Sequence, residues 1–391
     1  MNLDYNMTYP GIDDLRNRAK QRIPRFAFEY LDGGCNEDVN LYRNTSELRD
    51  IQLKPIYLGA YGGIDMSTSL FGKRYAAPFG VAPIGLQGLI WPNSPCILAR
   101  AAKAHQVPFI LSTVTTSGIE DIAKITEGDF WYQLYHPAEE QLRKDILKRL
   151  QDVGCEVLVI LADVPSFGFR PRDIRNGLAM PPQMSLKNIL QIIGKPNWAM
   201  QTLLHGTPRF ATLKPYLPKG LDMKQLGAFM DRTFSGRLNR ERISAIRDQW
   251  KGKLVIKGVA SEEDAQMAVE LGLDGMIVSN HGGRQLDAGE SAIRSLSKLL
   301  AFKDQLTVMM DSGIRSGADV ARALAAGADF TFLGRTFMYG TAALGNQGGQ
   351  HTMAILKRQL KQVMEQLCCE RVIDFPRHLI KPSGNKVKIE Y

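Results

Sequence analysis

Residues 265–281, Ala265-Gln266-Met267-Ala268-Val269-Glu270-Leu271-Gly272-Leu273-Asp274-Gly275-Met276-Ile277-Val278-Ser279-Asn280-His281, decide how the chain is read. An alanine-containing helical pattern runs to Leu271 and Gly272 turns it. The apolar run that follows, ending at Val278, is short and unbroken, as a parallel strand buried on both faces requires. Polar residues begin where that strand ends: Ser279-Asn280-His281-Gly282-Gly283-Arg284-Gln285-Leu286-Asp287. An imidazole that exchanges protons near neutral pH and a guanidinium that can hold a carboxylate through two hydrogen bonds emerge on one loop. The two glycines allow backbone and ligand to approach closely.

The same helix, glycine or turn, and strand recur outward from this unit. Ala99 to Ala104 leads into a strand ending at Ser112, Leu142 to Val153 into Val157–Asp163, and Val320 to Ala326 into Phe330–Gly334. Strands at Phe79–Pro83, Phe130–Leu134, Lys253–Lys257 and Leu306–Asp311 bring the count to eight. Eight strands alternating with helices predict an α/β fold, a closed parallel (β/α)8 TIM barrel with its active site at the C-terminal strand ends. A doubly wound open sheet is the alternative, and it lacks support because no GxGxxG fingerprint follows an early strand.

Residues 1–76 are expected to form a helical lead-in and 77–345 the barrel, with a C-terminal helix from Met353 to Leu367 and a polar, loose tail from Lys381 within 346–391. One connection, after strand four, is far longer than a normal βα loop. Placed at about 171–250, it contains Pro181-Pro182, Pro196, Pro208, Pro215 and Pro218. Between Ser185 and Gln225 six basic residues face one acid, Asp222, beside the apolar stretches Ile189–Ile193 and Trp198–Leu204. Basic plus apolar is the composition of an interfacial segment that contacts a membrane; a lid over the barrel or a subunit contact is the other reading.

The 391 residues carry 44% hydrophobic and 23% charged residues, which excludes a disordered or fibrous chain. Five cysteines, with Cys368 and Cys369 adjacent and no CxxC spacing, point to reduced thiols, no structural disulfide and no metal site. The start, Met1 to Tyr5, lacks a basic-then-apolar leader and no run approaches the ~18 apolar residues of a membrane span. A cytoplasmic protein is expected, soluble or peripheral on the inner face of the membrane. The net charge of +9 suits anionic small molecules or acidic membrane surfaces. Nucleic acid is not expected, since no binding motif or basic run with interleaved aromatics is present.

Sorted by position, Ser112, Gln133, Tyr135, Asp163, Lys257, Ser279, His281, Arg284, Asp311, Arg315 and Arg335 all fall at or just beyond C-terminal strand ends. The loops after strands seven and eight, Asp311-Ser312-Gly313-Ile314-Arg315 and Gly334-Arg335, pair glycines with arginines where barrels commonly bind a phosphate.

With Tyr30, Ala82-Pro83, Gln133-Leu134-Tyr135, the stretch Asp163 to Arg170, Lys257-Gly258, the SNHGGRQLD run, DSGIRSG and Gly334-Arg335, the chain resembles the FMN-dependent α-hydroxy acid oxidase and dehydrogenase family from about residue 10 to 380. That family includes glycolate oxidase, lactate oxidase, bacterial L-lactate dehydrogenase and mandelate dehydrogenase. The resemblance implies FMN as cofactor, with Pro83, Ile84, Gly85, Ser112, Gln133, Lys257, Ser279 and Asp311 around the flavin and ribityl chain, and Gly313, Arg315, Gly334 and Arg335 at the phosphate. It implies Arg170, Arg284, Tyr30 and Tyr135 as ligands of a 2-hydroxy acid, His281 as base and Asp163 as its partner. It further implies a homo-oligomer, a tetramer, and an electron acceptor that is a quinone, a carrier protein or oxygen.

Three departures stand out. Leu161 replaces a threonine that contacts the flavin in many relatives, Ile84-Gly85 replaces a Thr-Ala common in oxidases, and Val114 replaces a larger aromatic, which opens room for bulkier acids. A barrel acting on a phosphorylated metabolite and a non-catalytic flavin-binding barrel are the competing readings.

Overall fold

The computed structural model describes residues 6–178, 183–206, 208–217, 229, 232–234 and 236–380. Pro181-Pro182, Pro218 and residues 219–228 of the basic insertion, and the tail from Lys381, lie outside the described residues.

Eight parallel strands form the centre: β1 (Phe79–Val81), β2 (Ile110–Ser112), β3 (Trp131–Leu134), β4 (Val157–Leu161), β5 (Lys253–Val259), β6 (Gly275–Val278), β7 (Thr307–Met310) and β8 (Phe330–Leu333). Each pairs with its sequence neighbour from β2 through β8, and β8 pairs with β1. A parallel bridge from Val81 to Phe109, just ahead of β2, closes the ring. The barrel expected from the eight apolar runs is the observed architecture.

Strand periodicity explains where the polar residues collect. Successive side chains point to opposite faces. Trp131, Val157, Val159, Val255, Ile277, Met309, Phe330 and Phe332 form one buried cluster inside the barrel. Their neighbours Leu158, Ile160, Leu254, Ile256, Met276, Val278, Val308 and Met310 belong to the outer core shared with the helices. Two residues beyond an inward apolar residue comes the next inward one, and there Ile110 gives way to Ser112, Trp131 to Gln133, Val255 to Lys257, Ile277 to Ser279 and Met309 to Asp311. One polar layer therefore caps an apolar plug, and all five of its side chains are buried. The opposite end is closed by an antiparallel hairpin, Thr68–Leu70 with Lys73–Tyr75, whose turn residue Phe71 packs on Trp131 at 5.6 Å. Removing a ring from this plug, as in Trp131→Ala, costs about 3–5 kcal/mol.

The lead-in comprises α1 (Ile12–Arg22), α2 (Arg25–Asp32) and α3 (Val39–Arg49). α1 buries Ile12, Leu15 and Ala19 and packs along the helix Arg335–Leu344 that follows β8. The C-terminal helix is longer than its hydrophobic pattern suggests, spanning Gly348–Leu367. Its first residue is a glycine packed so closely on Gly340 of the preceding helix that a Cβ on Gly348 would meet the Gly340 carbonyl oxygen at 2.1 Å. Inside the insertion, helices Leu186–Ile193 and Pro196–His205 dock on the lead-in: Trp198 stacks edge-on against Phe26 and donates to the Ile90 carbonyl.

Candidate active site

Each residue of the SNHGGRQLD run has an assignable contact or position. His281, Gly282 and Gly283 all adopt left-handed backbone, φ 60°, 67° and 74°, which folds the chain tightly enough for His281 and Arg284 to face the same cavity. A non-glycine residue at positive φ is uncommon, and histidine is among the types that tolerate it. The glycines also serve protein packing, while Gly282 lines the cavity. A Cβ on Gly283 would lie 2.5 Å from the Leu41 nitrogen in α3, and one on Gly282 would lie 2.4 Å from Arg335. Asn280 bonds Asn40 and Asn44 of α3, and Asp287 accepts from the amides of Glu37 and Asn40, capping the positive end of that helix.

Two arginines stitch α2 to the barrel mouth. Arg284 donates through Nη1 to the carbonyls of Tyr30 and Gly33, and Arg335 donates to those of Leu31, Gly33 and Gly282. The Tyr30, Leu31 and Gly33 carbonyls lie at the negative C-terminal end of α2, so cations there satisfy orphan acceptors and the helix dipole together. The same contacts carry Tyr30 into the site, its ring 4.9 Å from the Arg284 guanidinium.

The resulting cavity has a volume of about 530 Å³ and opens at the C-terminal strand ends. Its lining includes Pro83, Ile84, Gly85, Lys257, Asp311, Gly313, Arg315, Gly334 and Arg335, together with Tyr30, Tyr135, Arg170, His281 and Arg284. Ser279 and Asp163 contact the lining residues Lys257 and His281, and Ser112 and Gln133 bond each other in the polar layer. Lys257 Nζ lies 2.9 Å from Ser279 Oγ and 3.2 Å from Asp311 Oδ2. Burial opposes its charge, but Asp311 and Asp163 outweigh that and raise its pKa, so the ammonium persists. Ser112 Oγ donates to Gln133 Oε1, leaving Gln133 Nε2 a buried donor without a partner.

Arg315 and Arg335 form no ion pair with a carboxylate among the described residues. Burial and the neighbouring positive charge of Arg315 push the Arg335 pKa down to about 9. Such a pair of cations calls for an external anion.

His281 Nδ1 lies 3.1 Å from Asp163 Oδ1. Burial pushes the imidazole below the ordinary histidine range while Asp163 resists the shift. Burial likewise opposes ionisation of Asp163, yet His281 and Lys257 hold its carboxyl below the usual carboxylate range. Gln285 ties Asp163 to Arg170: its amide nitrogen donates to the Asp163 and Ser166 carbonyls, and its oxygen accepts from Gly168 N and, at 3.4 Å, from Arg170 Nη2.

Three contributors escape a reading along the chain. Asp173 lies between Arg170 and Arg284, an i, i+3 partner whose signal was a short charged run, Arg170-Pro171-Arg172-Asp173. Phe210 lines the apolar end together with Val114, Leu178 and Phe234, and it comes from the insertion. The segment around it is anchored, since Ala211 N donates to the Thr115 carbonyl and Leu213 is fully buried. α3, read only as lead-in, holds the His281 loop in place.

Comparison with known proteins agrees with this geometry. Residues 19–382 match the family described as FMN-dependent dehydrogenase. L-lactate dehydrogenase from Caulobacter vibrioides (strain NA1000 / CB15N) is 38% identical over 360 residues, 92% of this chain and 94% of that protein. The Bartonella tribocorum (strain CIP 105476 / IBS 506) protein of the same name is 36% identical over 371 residues, 92% and 97%. Among solved structures, the monotopic membrane protein (S)-mandelate dehydrogenase superposes with a TM-score of 0.89 at 32% identity, covering 95% of this chain and 98% of that one. A mandelate oxidase superposes at 0.81 and 31% identity, covering 95% and 98%. The chain belongs to the FMN-dependent dehydrogenase family and is an FMN-dependent α-hydroxy acid oxidoreductase acting on a CH–OH group.

Proposed function

We propose that this enzyme oxidises an (S)-2-hydroxy acid, lactate-like or with a bulkier apolar side chain, to the 2-oxo acid, with His281 as the base. The observation that carries the reading is the His281–Asp163 pair opening into the same cavity as two half-buried arginines. With the Nδ1 proton donated to Asp163, Nε2 keeps its lone pair for the substrate. The imidazolium formed on proton transfer is then stabilised by the Asp163 carboxylate. Arg170 and Arg284 hold the substrate carboxylate, and Tyr30 and Tyr135 offer phenolic hydrogen bonds. His281 takes a proton from Cα or from the hydroxyl.

FMN, when bound, accepts the two electrons the substrate loses. The residues present fit it. Gln133 Nε2 is a buried donor in need of an acceptor, Lys257 is a buried cation suited to negative charge on a reduced ring, and Arg315 with Arg335 await an anion such as a phosphate. Pro83, Ile84, Gly85, Ser112, Ser279, Asp311, Gly313 and Gly334 complete that set.

Part of the lining, Val114, Phe167, Ile174, Leu178, Phe210 and Phe234, is apolar and supports a side chain larger than methyl. The insertion supports peripheral attachment to a membrane and thereby a quinone or carrier as acceptor. Leu186, Leu190, Ile193, Leu203 and Leu204 are all more than 60% exposed on its two helices, beside Lys187 and Lys195. No helix among the described residues is long and apolar enough to cross a membrane.

An anaerobic screen of flavin bleaching tests the substrate assignment. Mandelate is expected to bleach the flavin at lower concentration than lactate, and failure of every 2-hydroxy acid to bleach it overturns the reading.

A further inference from the structure

The cavity contains one carboxylate that the proposed reaction does not use. Asp173 sits on the short helix Pro171–Arg175 and is only 8% exposed. Its Oδ2 lies 3.7 Å from Arg170 Nη1 and 3.6 Å from Arg284 Nη2. Both separations exceed the ~2.7–2.9 Å of a charge-assisted hydrogen bond. Two half-buried cations thus share one buried anion, and neither holds it closely.

The remaining donors make the arrangement more specific. Arg284 commits Nη1 to the carbonyls of Tyr30 and Gly33, which fixes the plane of the guanidinium and leaves Nη2 toward Asp173. Arg170 offers Nη2 to Gln285 at 3.4 Å, while its Nε is buried without a partner. The adjacent Arg172 is already matched by Asp38 and Asp32, so Asp173 is not required as its counter-ion. Leaving a buried donor without a partner is unfavourable, so a second carboxylate beside Asp173 would find hydrogen bonds that the protein leaves unmade.

We propose that Asp173 is an internal counter-ion that positions Arg170 and Arg284 and competes with the substrate's carboxylate for them. The inference rests on the reading that these two arginines bind that carboxylate. Its consequence is an anion site held below its full strength. The 2-oxo acid product carries the same carboxylate as the substrate, so a clamp with no internal competitor would retain it. Asp173 limits that retention while keeping both guanidiniums oriented between turnovers.

The test uses the holoenzyme and two unreactive probes of nearly equal shape, phenylacetate and its neutral twin phenylacetamide, with binding read from the perturbation of the flavin spectrum. Wild type is expected to prefer phenylacetate, and Arg284→Lys to lose that preference. Asp173→Asn keeps the shape and an acceptor oxygen but removes the charge. It is expected to tighten phenylacetate about three- to tenfold, the scale of one like charge removed from a partly screened site, and to leave phenylacetamide unchanged. Asp173→Glu restores the charge and is expected to return affinity toward wild type. Mandelate should show the same split, with KM falling in Asp173→Asn and turnover slowing where product release limits it.

Weaker or unchanged phenylacetate binding in Asp173→Asn, with Arg284→Lys behaving as expected, overturns the role of Asp173 alone. Equal affinity of wild type for the two probes, or an Arg284→Lys variant that keeps the preference, removes the carboxylate clamp and this inference with it.

Discussion

The two ends of the cavity are built by different physics. At the polar end, strand alternation sets Lys257, Ser279 and Asp311 in one layer, and buried pairs hold them: Lys257 with Asp311, and His281 with Asp163 just above. At the apolar end, Phe210 and Phe234 arrive from a long insertion and meet Val114 and Leu86 through shape alone. The polar end has few substitutes for each group, because removing one partner leaves a buried charge uncompensated. The apolar end tolerates exchange, because hydrophobic groups of similar volume replace one another at small cost. Chemistry should therefore be little affected by changes at the second end, and preference among substrate side chains should respond mainly to them.

The largest expected effect lies at the polar end. His281→Ala should retain FMN and lose about 10²–10⁴-fold in the rate of flavin reduction, measured by anaerobic stopped flow; a near-normal rate would show that the base lies elsewhere. A histidine base must be neutral to act, and burial lowers the His281 pKa. The acid limb of kcat/KM should therefore fall below the ordinary histidine value of about 6.5. Asp163→Asn, which removes a charge that raises this pKa, should move the limb lower still.

Arg284→Lys comes next. A lysine cannot reproduce the planar guanidinium that donates to both Tyr30 and Gly33 carbonyls. KM should rise roughly 10–100-fold, matching the loss of one or two charged hydrogen bonds, and steady-state kinetics reads it directly.

Cuts in the insertion sharpen the contrast. Replacing 186–205 by a short linker should abolish binding to anionic vesicles in a sedimentation assay and leave flavin reduction by lactate within a few-fold of wild type. Extending the cut to 216 removes Phe210 and the buried Leu213. That longer deletion should raise KM for mandelate selectively, and an equal effect on lactate would show that the segment supports the polar end as well.

The smallest effect is at Gly85, whose added Cβ would come 2.9 Å from Val114 Cγ2. Gly85→Ala should shift the ratio of reoxidation by a quinone analogue to that by oxygen by a few-fold toward oxygen. Substituting Val114 by Ala in the same chain should relieve the contact and restore folding if the single variant is unstable.

The barrel was legible because each strand is an unbroken apolar run ending in a polar residue, a pattern that needs no knowledge of neighbours. Ser112, Gln133, Lys257, Ser279 and Asp311 were legible as site candidates for the same reason. Asp173 was hidden because Arg172 and Arg175 surround it with charge, and nothing local distinguishes a buried carboxylate from a solvated one. Phe210 was hidden by distance: its partners Val114 and Leu86 lie about a hundred residues earlier. For the glycines of the His281 loop, a need for close approach is visible in sequence, but the protein groups that also approach them, α3 and Arg335, are not.

Gly33 offers its carbonyl to both Arg284 and Arg335, so a residue made early in synthesis is held by two made late. A ribosome releasing this chain from the N-terminus exposes α2 some 250 to 300 residues before its anchors exist. The helix must wait, and the pocket matures only when β8 closes against β1. Long sequence separation of this kind slows folding because loop entropy is spent before contacts form. Competence for flavin reduction should therefore appear with the last kinetic phase of refolding, after most helical signal has returned.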